Sequence, residues 1–311
     1  MKLFDLHADI GYDLLEHSLK GDIHRFEEHH LPKLEQGGVY GVGMVSFFEG
    51  HENLDRAQAM VSLLHDQIHA FPDRVHPYLH GEFHPTKINA VMTLESMCYI
   101  QDNPEEVLSW MYEKGVRIGS LTWNEENALA TGAKSNPSRG LTPLGRRAIQ
   151  HMNHLGMIVD ISHTNEKSFW NILEVSTVPV IATHSNSRVY ANVHRNLSDQ
   201  QAKALMDKGG LIGLVAAKHF VSDEESKQDA HHLALHALHW ANLKSVDHIA
   251  IGFDYMDYLG DYGRTSMASD LQDATQSQNL VNALREVGFS EDDLEKIAWK
   301  NVQRFFLEHL K

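Results

Sequence analysis

A single cysteine, Cys98, stands among 311 residues. No internal disulfide can form, so the fold must rest on a packed core. With Met97 and Tyr99 beside it and no motif of a cysteine enzyme around it, Cys98 reads as a packed thiol and not as a nucleophile. Basic residues are also scarce. There are 27 Lys+Arg against 42 Asp+Glu, a formal charge of -15, and no basic stripe. That balance argues against nucleic acid and against an anionic membrane surface as partners. No uninterrupted apolar run approaches the roughly 18 residues a membrane span needs. The N-terminal MKLFDLHAD starts as a strand with no basic-then-apolar leader, and RFFLEHLK is too short and too charged for an anchor signal. A cytoplasmic location is therefore expected. The sequence contains no G-x-G-x-x-G, no G-x-x-x-x-G-K-[ST] and no G-x-S-x-G. Nucleotide binding and serine-nucleophile chemistry consequently have no footing.

Hydrophobic residues make up 42% of the chain, enough for a sizeable core. Eight short apolar runs, at residues 2–8, 40–48, 89–95, 117–123, 157–162, 178–184, 210–216 and 248–254, read as strands. Several are apolar throughout, as parallel strands covered on both faces require. Helical patterns lie between them. Thr142-Pro143 opens one helix that Gly156 ends, Ser198 and Gln201 have capping-box spacing, and further helices are expected over 229–243 and 291–309. The alternation over this length predicts an α/β fold, a (β/α)8 TIM-type barrel forming one domain over 1–311, with its site at the C-terminal face. The turn-rich stretches 124–140 and 254–270 are expected as loops over that face.

The chemistry-bearing residues cluster where these runs end. His7 and Asp9 form His-x-Asp at the end of the first run, and a strand would point both to one side. Glu95 closes AVMTLE, a costly place for a carboxylate unless it is paired or metal-bound. His163 closes VDISH and His184 closes VIATH. Taken singly, each has an ordinary explanation in a half-buried histidine, a salt bridge or a local hydrogen bond. Together, three imidazoles and two carboxylates suit two divalent ions sharing one carboxylate, most naturally zinc, and so point to metal-assisted hydrolysis. Asp254, at the end of HIAIGFD, could orient water and return a proton to a leaving amine, though a turn or cap aspartate is common there. Asp5 reads as structural. His232, His236 and His239 share a face of the 229–243 helix, which is expected to be a solvated outer wall. His29, His30, His151 and His154 are expected at the surface.

The segments HAD (7–9), TLES (93–96), GLTPLGRRAIQHMNHLGMIVDISH (140–163), ATHS (182–185), HRNLSD (194–199) and GFD (252–254) resemble the renal, or membrane, dipeptidase family of zinc peptidases, within the metal-dependent amidohydrolase superfamily. The resemblance spans nearly the whole chain. It implies one zinc on His7, Asp9 and Glu95, a second on Glu95, His163 and His184, and Asp254 at a water bridging them. It also implies Arg195 receiving the C-terminal carboxylate of a dipeptide, a task that suits a planar guanidinium, and possible homodimers. Three positions depart from the family. Trp123 stands where a histidine usually follows Leu-Thr, Asp254-Tyr255-Met256-Asp257 replaces Asp-Phe-Asp-Gly, and VAA (215–217) lacks a usual aromatic. Indole cannot accept a proton, so Trp123 alters whatever contact the substrate makes there. The expected activity is metal-dependent hydrolysis of a dipeptide amide. The alternatives are hydrolysis of an N-acyl amino acid or a lactone on the same metals, and a metal-binding barrel without catalysis.

Overall fold

The computed structural model describes residues 1–310. Its strands are β1 (Leu3–Ala8), β2 (Val39–Phe47), β3 (Val75–Pro77), β4 (Ile88–Glu95), β5 (Val116–Ser120), β6 (Ile158–Asp160), β7 (Ile212–Leu214) and β8 (Ile249–Ile251). All pairings between them are parallel. β1 lies between β2 and β8, and the ladder runs on through β4, β5 and β6 on one side and β7 on the other. The run expected at 178–184 is not a continuous strand. It contributes two bridges, Asp160 to Ile181 and Ala182 to Ile212, and these close the ring between β6 and β7. Each of the eight expected runs thus supplies one stave of the barrel. β3 was not expected; it pairs beside the start of β4.

The helices form where their punctuation places them. Thr142 accepts from the Gly145 amide, Pro143–Leu155 is helical, and Gly156 leaves the helix with φ 80°. Ser198 and Gln201 form the capping box of Asp199–Asp207. One apolar cluster fills the space between strands and helices. A second joins Phe4, Leu6, Val91, Ile118, Ile158 and Ile181 to Phe305 and Phe306 of the terminal helix Asn301–His309. Burial of this area is the main stabilising force. Asp5 sits among these strands and ties β1 to β8, accepting from the His7 amide at 3.1 Å and the Phe253 amide at 2.9 Å. Burial, against those two donors, pushes its carboxyl up to about 7. Among the described residues no helix is long and apolar enough to cross a membrane.

The expected solvated histidine face is corrected by the structure. His236, on helix Ala230–Leu243, is fully buried. Its Nδ1 accepts from the Ser187 amide at 3.0 Å and its Nε2 donates to the Val221 carbonyl at 2.8 Å. The helix packs this position against the segment after the 181–182 stave, which leaves two backbone groups needing a two-sided partner. His232 and His239 instead pair with Asp229 and Asp199. His30, expected at the surface, is half-buried and lies 2.7 Å from Asp13.

Burial holds His236 neutral, at about 4 against the usual 6.5. The unfolded chain takes up its proton first as pH falls, so this residue's share of stability is whole above pH 6.5 and is lost between 6.5 and 4. We expect native stability to drop by on the order of 2 kcal/mol more from pH 7 to pH 5 in the wild type than in His236→Asn. Urea midpoints at the two pH values measure this, and equal drops would remove His236 as the source.

Candidate metal centre

The C-terminal ends of the staves bring together all five residues expected to hold metal. His7 is the penultimate residue of β1, and Glu95 is the last of β4. Asp9 is not on the strand as expected. The chain has already turned, and Asp9 precedes helix Ile10–Ser18 with φ -72° and ψ 40°. His163 and Asp254 also lie beyond their strands, in left-handed backbone with φ 67° and 58°, and Ser96, next to Glu95, has φ 63°. Only one other non-glycine residue among those described, Asn103, has positive φ. Such conformations cost about 1–3 kcal/mol each and concentrate at functional sites. Here the turned backbone swings the side chains back over the barrel mouth.

The five side chains converge on Glu95. His163 Nε2 is 2.9 Å from Glu95 Oε1, His184 Nε2 is 3.4 Å from the same oxygen, and the two imidazole nitrogens are 3.0 Å apart. On the other side, His7 Nε2 is 3.5 Å from Glu95 Oε2 and 3.5 Å from Asp9 Oδ1. Two overlapping ligand sets result: His7, Asp9 and Glu95, and Glu95, His163 and His184, the donor atoms of each within 4.8 Å of one another. His7 Nε2, Asp9 Oδ1 and Glu95 Oε1 are buried without a hydrogen-bond partner, the short His163 contact being misaligned for one. Buried polar atoms are ordinarily satisfied. Three orphans pointing into one cluster of nitrogen and oxygen donors fit divalent cations.

The charges agree with that role. Burial first, then the Arg195 charge, holds His163 at about 4, and burial with the His7 charge holds His184 well below its usual range. Both imidazoles are therefore neutral at pH 7. Burial works to lower His7 too, but Glu95 and Asp9 raise it well above its usual value, so without metal it carries the balancing proton. Burial, reinforced by Asp9 and Glu95, pushes Asp254 well up; its Oδ1 is 3.8 Å from His7 Nε2.

Arg195 is buried, donates from Nη2 to the His184 carbonyl at 3.1 Å and leaves Nε unpartnered. Trp123 is half-buried. Its ring meets Phe47 edge-on at 5.2 Å and lies 6.1 Å from His163. Cys98 is buried, which pushes its thiol up to about 11 and leaves it unsuited as a nucleophile.

Residues 1–309 match the family described as Membrane dipeptidase (Peptidase family M19). The chain belongs to this family of peptidases. A dipeptidase of Claviceps purpurea is 28% identical over 282 residues, covering 89% of this chain and 64% of the fungal protein. An uncharacterised protein of Klebsiella pneumoniae is 31% identical over 206 residues, 63% of this chain and 73% of the relative. This chain therefore spans just under two thirds of the fungal dipeptidase's length. Among solved structures, a metallopeptidase of Rhodobacter sphaeroides, bound to a phosphinate mimic of L-Ala-D-Ala, superposes with a TM-score of 0.85 at 21% identity. It covers 100% of this chain and 99% of its own. At that identity the likeness establishes the shared fold, and phosphotriesterases share it more distantly, with a TM-score of 0.57.

Two partners of these candidate metal residues had no signal in the sequence. Tyr258, from the loop after β8, donates to Asp9 Oδ2 at 2.8 Å and so leaves Oδ1 as the free oxygen. Asn124 lies with Oδ1 3.3 Å from His163 Nδ1. The displaced acid Asp257 anchors the Tyr258 loop, pairing with Lys33 and with His29 at 3.3 Å. Those partners overcome its burial and hold it at about 2.

A carboxyl whose value is raised by folding costs stability once pH exceeds its unfolded range, and the cost is absent well below it. In chelated protein, Asp254→Asn is therefore expected to raise the urea midpoint at pH 7.5, with the gain shrinking toward pH 4. A midpoint unchanged at both pH values would show that Asp254 bears no such electrostatic load.

Proposed function

We propose that this chain is a metal-dependent dipeptidase whose 311 residues act as one barrel domain. The observation that carries the reading is the pair of ligand sets sharing Glu95, with orphaned atoms on His7, Asp9 and Glu95. His7, Asp9 and Glu95 would hold one divalent ion, and Glu95, His163 and His184 a second, with zinc the ion of choice. Bound there, the ions supply Lewis acidity, making water a competent nucleophile near neutral pH and balancing the charge that develops on the amide oxygen.

The chain's own residues divide the remaining work. Arg195 offers its unpaired Nε beside the His184 carbonyl, where a substrate carboxylate can take it as a charge-assisted bond. Asp254, made more basic by burial and by neighbouring carboxylates, is suited, once ionised, to take a proton from water and pass it to the leaving amine. Trp123 with Phe47 presents an apolar wall beside His163 where an imidazole would have offered a proton donor. The indole gives the carbonyl no titratable proton donor and acts there by shape.

Free amino acid release from L,L- and L,D-dipeptides, with and without chelator, tests the reading. Zinc-dependent release is expected, and a zinc-loaded protein that releases nothing would overturn it. Asp254→Asn is expected to keep its metal and lose about 100-fold or more in kcat; wild-type turnover would exclude it from proton transfer. Arg195→Ala should raise KM roughly tenfold or more for free dipeptides. An equal rise on C-terminally amidated peptides would exclude a carboxylate-binding role.

A further inference from the structure

We infer that Asp160 and Thr183 decide which ring nitrogen His184 offers to metal. They act as positioning residues for the metal centre proposed above, on which the inference rests. By distance alone Asp160 is a competing ligand: it forms a third set with His7 and His184, donor atoms again within 4.8 Å. Hydrogen-bond accounting removes it. Its Oδ1 accepts from the Ser162 amide at 2.9 Å and the Thr183 amide at 3.0 Å, and its Oδ2 lies 2.6 Å from the Thr183 hydroxyl. Both oxygens of this buried carboxylate are in use, whereas Asp9 Oδ1 and Glu95 Oε1 are not.

The proton count then fixes His184. A carboxylate has no proton to give, and a threonine hydroxyl has one. Thr183 gives its proton to Asp160 Oδ2, so toward His184 Nδ1, 2.7 Å away, it can only accept. The ring proton of His184 therefore sits on Nδ1. Its Nε2 keeps a lone pair, directed at the position shared by Glu95 Oε1 and His163 Nε2. The opposite tautomer would place an N–H there and could not ligate. Ser162 Oγ at 3.3 Å and His7 Nδ1 at 3.5 Å compete for the second lone pair of the same hydroxyl, at longer range.

Thr183 has little freedom to leave this arrangement. Its carbonyl lies against Gly213 and Gly252, where a Cβ on either would collide with it. Its amide is bound to Asp160, and the next residue's amide to Ser162 Oγ. Thr183 thus follows directly on the Ala182–Ile212 bridge that closes the barrel.

The test is zinc titration of chelator-stripped protein against a chromophoric competitor, with bound zinc counted per chain, and with thermal melts of the stripped proteins to check folding. Wild type and Thr183→Ser, which keeps the hydroxyl, are expected to bind two ions. Thr183→Val should weaken one of them by roughly 10- to 100-fold. Asp160→Asn is the sharper variant. Its amide oxygen must stay toward the two backbone donors, so its NH2 faces Thr183, the hydroxyl reverses to donate to His184 Nδ1, and the proton moves to Nε2. It should lose affinity for the same ion although its shape is conserved; a purely structural Asp160 would not show this. Two ions at wild-type affinity in Asp160→Asn would overturn the inference and leave the metal-centre reading standing. A wild type that binds no zinc would overturn both.

Discussion

The carboxylate of Glu95 is the constraint around which the mouth of this barrel is built. It is buried at the end of β4, with imidazoles approaching from both sides and Asp9 and Asp254 close behind. A carboxylate in such a place is expensive unless cations or donors compensate it. The metal-free chain compensates in part, by keeping a proton on His7. It leaves His163 and His184 neutral and several donor atoms unmatched. Each nearby feature follows from holding that group still: Asp9 tied at one oxygen by Tyr258, His163 braced at Nδ1 by Asn124, and His184 braced by Thr183.

That arrangement needs backbone that ordinary strands and helices do not provide. Ser96, His163 and Asp254 all adopt left-handed conformations within a residue or so of the site. Together they cost several kcal/mol, at about 1–3 each, a large share of the net stability of a typical domain. The barrel core and the terminal helix with Phe305 and Phe306 carry that load away from the site. The separation explains the division of the molecule. Apolar packing near the strand starts supplies stability, while unsatisfied polar groups and strain collect at the strand ends.

Much of this was legible in the chain because it depends on pattern. Apolar runs separated by capped helices identify a parallel barrel, and a ligand-type residue at the end of a run identifies its active face. The staves of Ile158–Asp160 and Ile249–Ile251 are shorter than their apolar runs because the chain turns early to place His163 and Asp254. Strand periodicity cannot foresee that turn. It also misplaced Asp9, which reaches the site from a helix cap and not from the strand face shared with His7. His236 defeated the helical-face argument for a different reason. An imidazole can satisfy a donor and an acceptor at once, so a histidine on a polar stripe can be core when two backbone groups need it. Tyr258 and Thr183 left no trace because their roles exist only once distant segments meet.

The same reasoning gives Trp123 a physical context. Rings follow one another around the mouth, from Tyr258 to Tyr12 at 6.1 Å, to Phe47 at 5.3 Å and to Trp123 at 5.2 Å. Tyr258 ends this band on Asp9 and Trp123 ends it near His163, so the band passes beside both ligand sets. An imidazole in place of the indole would interrupt the packing with a polar ring and add another titrating group beside Arg195 and the three histidines. An indole continues the apolar contact from Phe47 toward His163. Low polarity strengthens every charge interaction inside it, so the wall that gives up a proton donor also increases the effect of the charges that remain.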